Sequence, residues 1–333
     1  MTNKPSEFKA WRVEEADGGY AGSEKTLPLS DLPDNEVLIK VTHSSLNYKD
    51  ALSASGNKGV TREFPHTPGI DAAGEVVEAS AGPFTAGDPV LVTGYDLGMN
   101  TDGGFGEYIR VPAAWCVPMP AGWNARTAMI YGTAGLTAGL CVKKLLAMGA
   151  APEQGNVVVS GASGAVGSVA VEILSRLGFD VVAVSGKAEH ADSLKKLGAT
   201  EVLGRDTFDA TKKPMLKPIF ANGIDTVGGS PLAEMLKQIQ PGGSVSCCGL
   251  VAGPQLETTV LPFILRGNNL LGVDSVEIPL AEKQLVWGRL STEWACPVTE
   301  AAAKDIGRAD LDDSLSAFLK GMSSGKIVLD HSL

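Results

Sequence analysis

No two of the five cysteines (Cys116, Cys141, Cys247, Cys248 and Cys296) share a CxxC spacing. An odd set of scattered thiols in 333 residues excludes a disulfide framework and a zinc knuckle. Residues 1–12 carry Lys4, Glu7 and Lys9 without an apolar core, so no signal peptide is expected. The longest uncharged stretch, residues 238–256, is broken by glutamine, proline, glycine and serine and does not suit a membrane span. Cations are scarce as well: 28 Lys and Arg stand against 38 Asp and Glu, a formal charge of −10. Phosphate-backbone binding needs a basic face, so that balance argues against nucleic acid as the main partner. A soluble, reduced, cytoplasmic protein is expected.

Glycine, in contrast, is plentiful, with 40 residues spread over the whole length. That abundance suggests many short strand-to-helix corners. An apolar fraction of 44% and a charged fraction of 20% allow ordinary cores, and the length suits two domains. Residues 1–126 read as β-rich, with short β-branched runs at 37–41, 74–77, 89–92 and 108–112 between turn signals, as in a small barrel or sandwich. In residues 127–275, apolar strands at 157–159, 181–184, 199–203, 223–227 and 243–246 alternate with helices. This is the pattern of a parallel sheet covered on both faces. Residues 276–333 return to amphipathic helices and a short strand at 326–329.

The most informative segment is 157–167, Val-Val-Val-Ser-Gly-Ala-Ser-Gly-Ala-Val-Gly. It follows a strand and opens a helix whose apolar face is Val166, Val169, Ala170, Ile173 and Leu177. Glycine lets a backbone approach a pyrophosphate, and the unpaired amides of the helix N-terminus stabilise its charge. A ligand-free tight turn is the plain alternative. An NAD site usually ends its second strand with a carboxylate for the ribose hydroxyls, whereas here Val184 is followed by Ser185, Gly186 and Lys187. A hydroxyl and an ammonium suit a 2′-phosphate, and Arg205 adds a second cation beside the adenine, so NADPH is expected.

With these motifs in place, the chain resembles the medium-chain dehydrogenase/reductase superfamily over nearly its whole length. Residues 45–50 (Ser-Leu-Asn-Tyr-Lys-Asp), 68–74 (Pro-Gly-Ile-Asp-Ala-Ala-Gly) and 132–137 (Gly-Thr-Ala-Gly-Leu-Thr) are similar to the zinc-free quinone-oxidoreductase branch. Segments 184–187, 248–250, 261–266 and 272–275 resemble the NADPH-dependent acrylyl-CoA reductase group. The resemblance implies an α/β architecture. A GroES-like catalytic domain (1–126) precedes a doubly wound Rossmann domain (127–275), and residues 276–333 return to the first. It also implies a homodimer. Zinc members carry Cys where this chain has Asn47 and His-Glu where it has Ile70-Asp71, and they have a four-Cys lobe with no counterpart here. No metal is therefore expected, and His43, His66, His190 and His331 are read as structural or surface residues.

By the same resemblance, Ser163, Gly164, Ala165, Val166, Ser185, Gly186, Lys187 and Arg205 contact the cofactor. Leu250, Ile264 and Ser275 surround the nicotinamide ribose, and Thr137 and Tyr48 lie toward the nicotinamide end, Tyr48 in the cleft between domains. Conjugate reduction needs a few donors aimed at a developing enolate, with the cofactor carrying the difficult step. Asn47 is then a donor to the carbonyl, Tyr48 a proton donor or positioner, and Asp50 an orienting group. The bland alternative makes Asn47 and Asp50 a helix cap. Cys247 and Cys248 are read as small packed residues beside the cofactor, not as a redox pair. The implied activity is NADPH-dependent reduction of the C=C bond of an α,β-unsaturated acyl-CoA, acrylyl-CoA giving propanoyl-CoA. A quinone or enone reductase and a non-catalytic NADPH-binding sensor are the alternatives, and the Asn-Tyr-Lys-Asp cluster counts against the sensor. Lys49, Lys58, Arg62 and Arg126 are available but unassigned cations for CoA phosphates.

Overall fold

A computed structural model describes residues 4–333. The chain divides into two compact units, Met1–Thr133 with Val276–Ser291 and Ala302–Leu333, and Ala134–Ser275 with Thr292–Ala301.

The first unit is built on a seven-stranded sheet. Its order runs Lys304–Ile306, Ile327–Asp330, Val37–Ser45, Asp71–Ala79, Pro89–Thr93 and Cys116–Pro118, with Tyr108–Val111 also pairing to Val37–Ser45. Alternating β-branched residues supply its core, in which Val37, Ile39, Val41, Val76, Val90, Val92, Ile109 and Val111 are buried together. A hairpin, Glu7–Ala16 with Gly19–Pro28, forms a separate antiparallel pair. The C-terminal strand pairs Val328 with Ser45 and Asp330 with His43, so the end of the chain completes a sheet begun near its start.

The second unit carries six parallel strands in the order Glu201–Leu203, Val181–Val184, Val157–Ser160, Asn222–Asp225, Ser244–Cys247 and Asn269–Gly272. In chain order this is 3-2-1-4-5-6, the doubly wound Rossmann arrangement. Its winding reverses between Val157–Ser160 and Asn222–Asp225, which places a ligand crevice beyond the carboxyl ends of those strands. The first and second strands are fully buried, as their valine runs require. Thr292–Ala301 belongs to this unit because the buried Glu172 carboxylate accepts from the Val298 and Thr299 amides at 2.9 and 2.8 Å.

The helix Ala125–Ala147 is broken at Gly132, with φ 49° and ψ −157°. A Cβ there would lie 2.5 Å from Ser45 Oγ and 2.6 Å from Asp71 Oδ2, so only glycine lets the chain pass so near those groups. Among the described residues, no helix is long and apolar enough to cross a membrane.

Candidate functional site

In the first unit, polar side chains from distant parts of the sequence meet around the buried Ser45, Asp50, Asp71 and Lys326. The helix Tyr48–Ala54 begins after Asn47, whose backbone is extended. Asp50, at the third helical position, accepts from the Asn47 amide at 2.8 Å and from the Ile70 amide at 2.9 Å. The Asp71 carboxylate accepts from Ser45 Oγ, Asn47 Nδ2 (2.9 Å), the Thr133 amide (2.8 Å) and Thr133 Oγ1 (2.6 Å). Lys326, 2% exposed, enters just before the C-terminal strand and donates to the Tyr131 carbonyl at 3.0 Å.

Electrostatics in this interior follow from burial. Loss of water, reinforced by the neighbouring Asp71, pushes the Asp50 carboxyl up to about 7. Burial likewise brings the Lys326 ammonium down to about 8, against the pull of Asp71 and Asp50.

These shifts set a pH dependence of stability. Unfolded, Asp50 ionises near 3.8; folded, it keeps its proton to about 7. In that window the folded chain binds the extra proton, so stability falls as pH rises from about 4 to about 7, by up to about 1.4 kcal/mol per unit. Lys326 acts oppositely above about pH 8, where the fold has released a proton that the unfolded chain keeps to 10.5, and stability rises. Urea unfolding of Asp50→Asn should lose the acid-side slope; a variant curve parallel to wild type would place its origin elsewhere.

The geometry bears on two roles read from the sequence. Asp50 has no exposed surface, so it acts on the site through the Asn47 and Ile70 backbone and is a positioning group. Asn47 Nδ2 has its hydrogens directed at Asp71 Oδ2 and Ser45 Oγ (3.2 Å), which corrects the expectation that it donates to a substrate carbonyl. The capping alternative is half realised: the Asp50 side chain reaches the Asn47 amide, while the Asn47 side chain turns to Asp71. Tyr48 is different. Its ring is half-buried against the cluster of Trp11, Leu46, Phe105 and Leu315, and its hydroxyl makes no hydrogen bond among the described residues.

In the second unit the glycine triplet does what its spacing implies. Gly161 has φ +59°, Gly164 caps the helix Ala165–Arg176, and a Cβ on Gly167 would sit 2.3 Å from the Gly161 carbonyl oxygen. Helix and strand therefore pack in backbone contact, leaving the first-turn amides of Ala165 and Val166 directed outward. Ser163 and Ser185 hydroxyls lie 3.0 Å apart, the Lys187 amide donates to Ser185 Oγ at 3.2 Å, and the Arg205 guanidinium lies over Gly186. Hydroxyls, the Lys187 amide and the Arg205 guanidinium thus converge at the end of the second strand, a donor set that fits a 2′-phosphorylated dinucleotide. Thr137 Oγ1 donates to Ser275 Oγ at 2.8 Å, while Leu250 and Ile264 present 58% and 68% of their surface. All five cysteines are free, and the Cys248 thiol donates to the Asp225 carbonyl at 3.5 Å.

A doubly wound sheet with a glycine-headed phosphate site, joined to a GroES-like unit carrying a polar cluster, defines a nucleotide-dependent oxidoreductase. Residues 33–121 match the alcohol dehydrogenase GroES-like domain, and residues 165–288 match the family described as zinc-binding dehydrogenase. Acrylyl-CoA reductase AcuI of Ruegeria pomeroyi is 42% identical over 95% of this chain and 96% of its own. YhfP of Bacillus subtilis, provisionally named a quinone oxidoreductase, is 46% identical over 97% of this chain and 98% of its own. Its structure, with NAD bound, superposes with a TM-score of 0.93 over 98% of this chain and 100% of that one. YhdH of Escherichia coli, solved with bound NADPH, is 45% identical with a TM-score of 0.93, covering 96% and 99% of the two chains. The chain belongs to the medium-chain dehydrogenase/reductase superfamily, in the branch of these relatives. Despite the zinc in one family description, no group of three or more His, Cys, Asp or Glu among the described residues could hold a metal ion.

Sequence reasoning passed over Ser45, Thr133 and Lys326, and treated Asp71 only as the position where zinc relatives carry Glu. A charged residue inside an apolar run, as in Ile70-Asp71-Ala72 and Lys326-Ile327-Val328, was the available signal.

Proposed function

We propose that this chain uses NADPH to reduce the C=C bond of an α,β-unsaturated acyl-CoA, converting acrylyl-CoA to propanoyl-CoA. NADPH supplies the hydride that reaches the β-carbon of the alkene. Negative charge then develops on the thioester oxygen, and a proton completes the α-carbon. Tyr48 is the catalytic donor in this reading, because its hydroxyl makes no hydrogen bond among the described residues and its ring has an apolar seat. Asp71 and Asp50 act as positioning residues that fix the start of the Tyr48 helix through Asn47. Ser163, Gly164, Ala165, Val166, Ser185, Gly186, Lys187 and Arg205 hold the adenosine and phosphate half of the cofactor; Thr137, Leu250, Ile264 and Ser275 take the nicotinamide half. A cytoplasmic homodimer belongs to the same reading.

The observation that carries the reading is the unpartnered Tyr48 hydroxyl in a chain 42% identical to a protein named acrylyl-CoA reductase. NADPH oxidation followed with acrylyl-CoA, crotonyl-CoA, benzoquinone and methyl vinyl ketone tests it. Acrylyl-CoA should have the highest kcat/KM. The name of YhfP favours quinone reduction as the second reading, and a preference for benzoquinone would establish that one.

Cofactor choice gives a separate expectation. Lys187→Glu replaces attraction with repulsion at the 2′-phosphate and should raise the NADPH Kd about tenfold or more, with little change for NADH. Fluorescence titration with both cofactors measures this. Equal weakening would remove Lys187 as the discriminating residue.

A further inference from the structure

We propose that Arg62 holds the phosphates of the CoA nucleotide, an inference that rests on the acyl-CoA reading above. Four cations were open from the sequence, and the structure commits two of them elsewhere. Lys58 donates to the Arg62 carbonyl at 3.1 Å, pairs with Glu15 at 3.5 Å and stands over the Phe64 ring at 4.8 Å. Arg126 Nε donates to both Asp305 oxygens at 2.9 Å. The side chains of Lys49 and Arg62 make no hydrogen bond or ion pair among the described residues.

The backbone beneath Arg62 is firmly built. Ser53 Oγ and Thr61 Oγ1 share a buried hydrogen bond of 2.6 Å between the helix Tyr48–Ala54 and the loop that follows it. The Val60 and Thr61 amides donate to the Asn57 carbonyl at 2.9 and 3.0 Å, and the Gly59 amide donates to Asn57 Oδ1 at 2.9 Å. The Arg62 amide donates to Asn100 Oδ1 at 3.2 Å. A fixed backbone carrying an exposed, unpaired guanidinium presents a fork matched to phosphate oxygens, with only the side chain left to order. Ser53 lies five residues beyond Tyr48, about 7.5 Å of helix rise, so the loop that carries Arg62 is anchored at the far end of the helix from the proposed proton donor. In a chain of net charge −10, most of the surface repels a polyanion, and an uncompensated cation beside the Tyr48 helix steers it.

The test compares wild type, Arg62→Lys and Arg62→Glu on acrylyl-CoA, acrylyl-3′-dephospho-CoA and acrylyl-pantetheine. Arg62→Glu should raise the KM for acrylyl-CoA about tenfold or more while leaving that for acrylyl-pantetheine unmoved, and Arg62→Lys should fall between. An effect lost on the dephospho thioester assigns Arg62 to the 3′-phosphate; one that persists assigns it to the pyrophosphate. An unchanged KM for acrylyl-CoA, or an equal rise on the pantetheine thioester, overturns the inference alone. A wild type that reduces benzoquinone but not acrylyl-CoA overturns the reductase reading and this inference together.

Discussion

Replacing Tyr48 by Phe should lower kcat on acrylyl-CoA about a hundredfold, near the lower end of what a positioned general acid contributes, because water can take over part of the role. The Phe ring keeps its seat against Trp11, Leu46 and Phe105, so the unfolding midpoint should stay at the wild-type value. Only the hydroxyl is lost, and no hydrogen bond among the described residues is lost with it. Stopped-flow measurement of NADPH oxidation separates the chemical step from release. A Phe variant with wild-type kcat would leave Tyr48 as a packing residue and transfer the proton to solvent.

The largest loss of stability is expected for Asp71→Ala. This one carboxylate receives hydrogen bonds from Ser45, Asn47 and both donors of Thr133. Its removal leaves those donors without their acceptor around a fully buried position and takes away part of the charge that supports Lys326. Breaking a buried charge network in this way costs about 3–5 kcal/mol. Urea unfolding would measure it, and activity should fall with it because Asn47 no longer fixes the start of the Tyr48 helix. A loss below about 1 kcal/mol, the scale of exposed ion pairs, would mean that water reaches the cluster.

The two units differ in how openly their sequences declare them. Two valine-rich strands, a glycine triplet and the helix after it are local signals, so the Rossmann unit and the Ser185–Lys187 end of its second strand could be read directly. The resemblance supplied the GroES-like unit, whose strands pair across long separations. Asp50 shows the limit well. Its spacing from Asn47 announced a cap, yet nothing near it in sequence announced that Ile70 would be the second donor or that Asp71 would raise its affinity for a proton. Lys326 is further still from its neighbours; only the pairing of Val328 with Ser45 brings it beside them. Arg205 was chosen for its charge, and its place over Gly186 depends on the absence of a side chain at that glycine.

The strand Ile327–Asp330 also bears on the order in which the first unit can assemble. Its pairing with His43–Ser45 joins segments that the whole parallel sheet separates in sequence. Contacts of such high separation carry the loop-closure entropy before they return any stability, so this edge should form late in refolding, after the local strand–helix units of the parallel sheet. Until it forms, the His43–Ser45 end of its partner strand has an open edge, and Asp50 and Asp71 face an interior that still lacks its lysine.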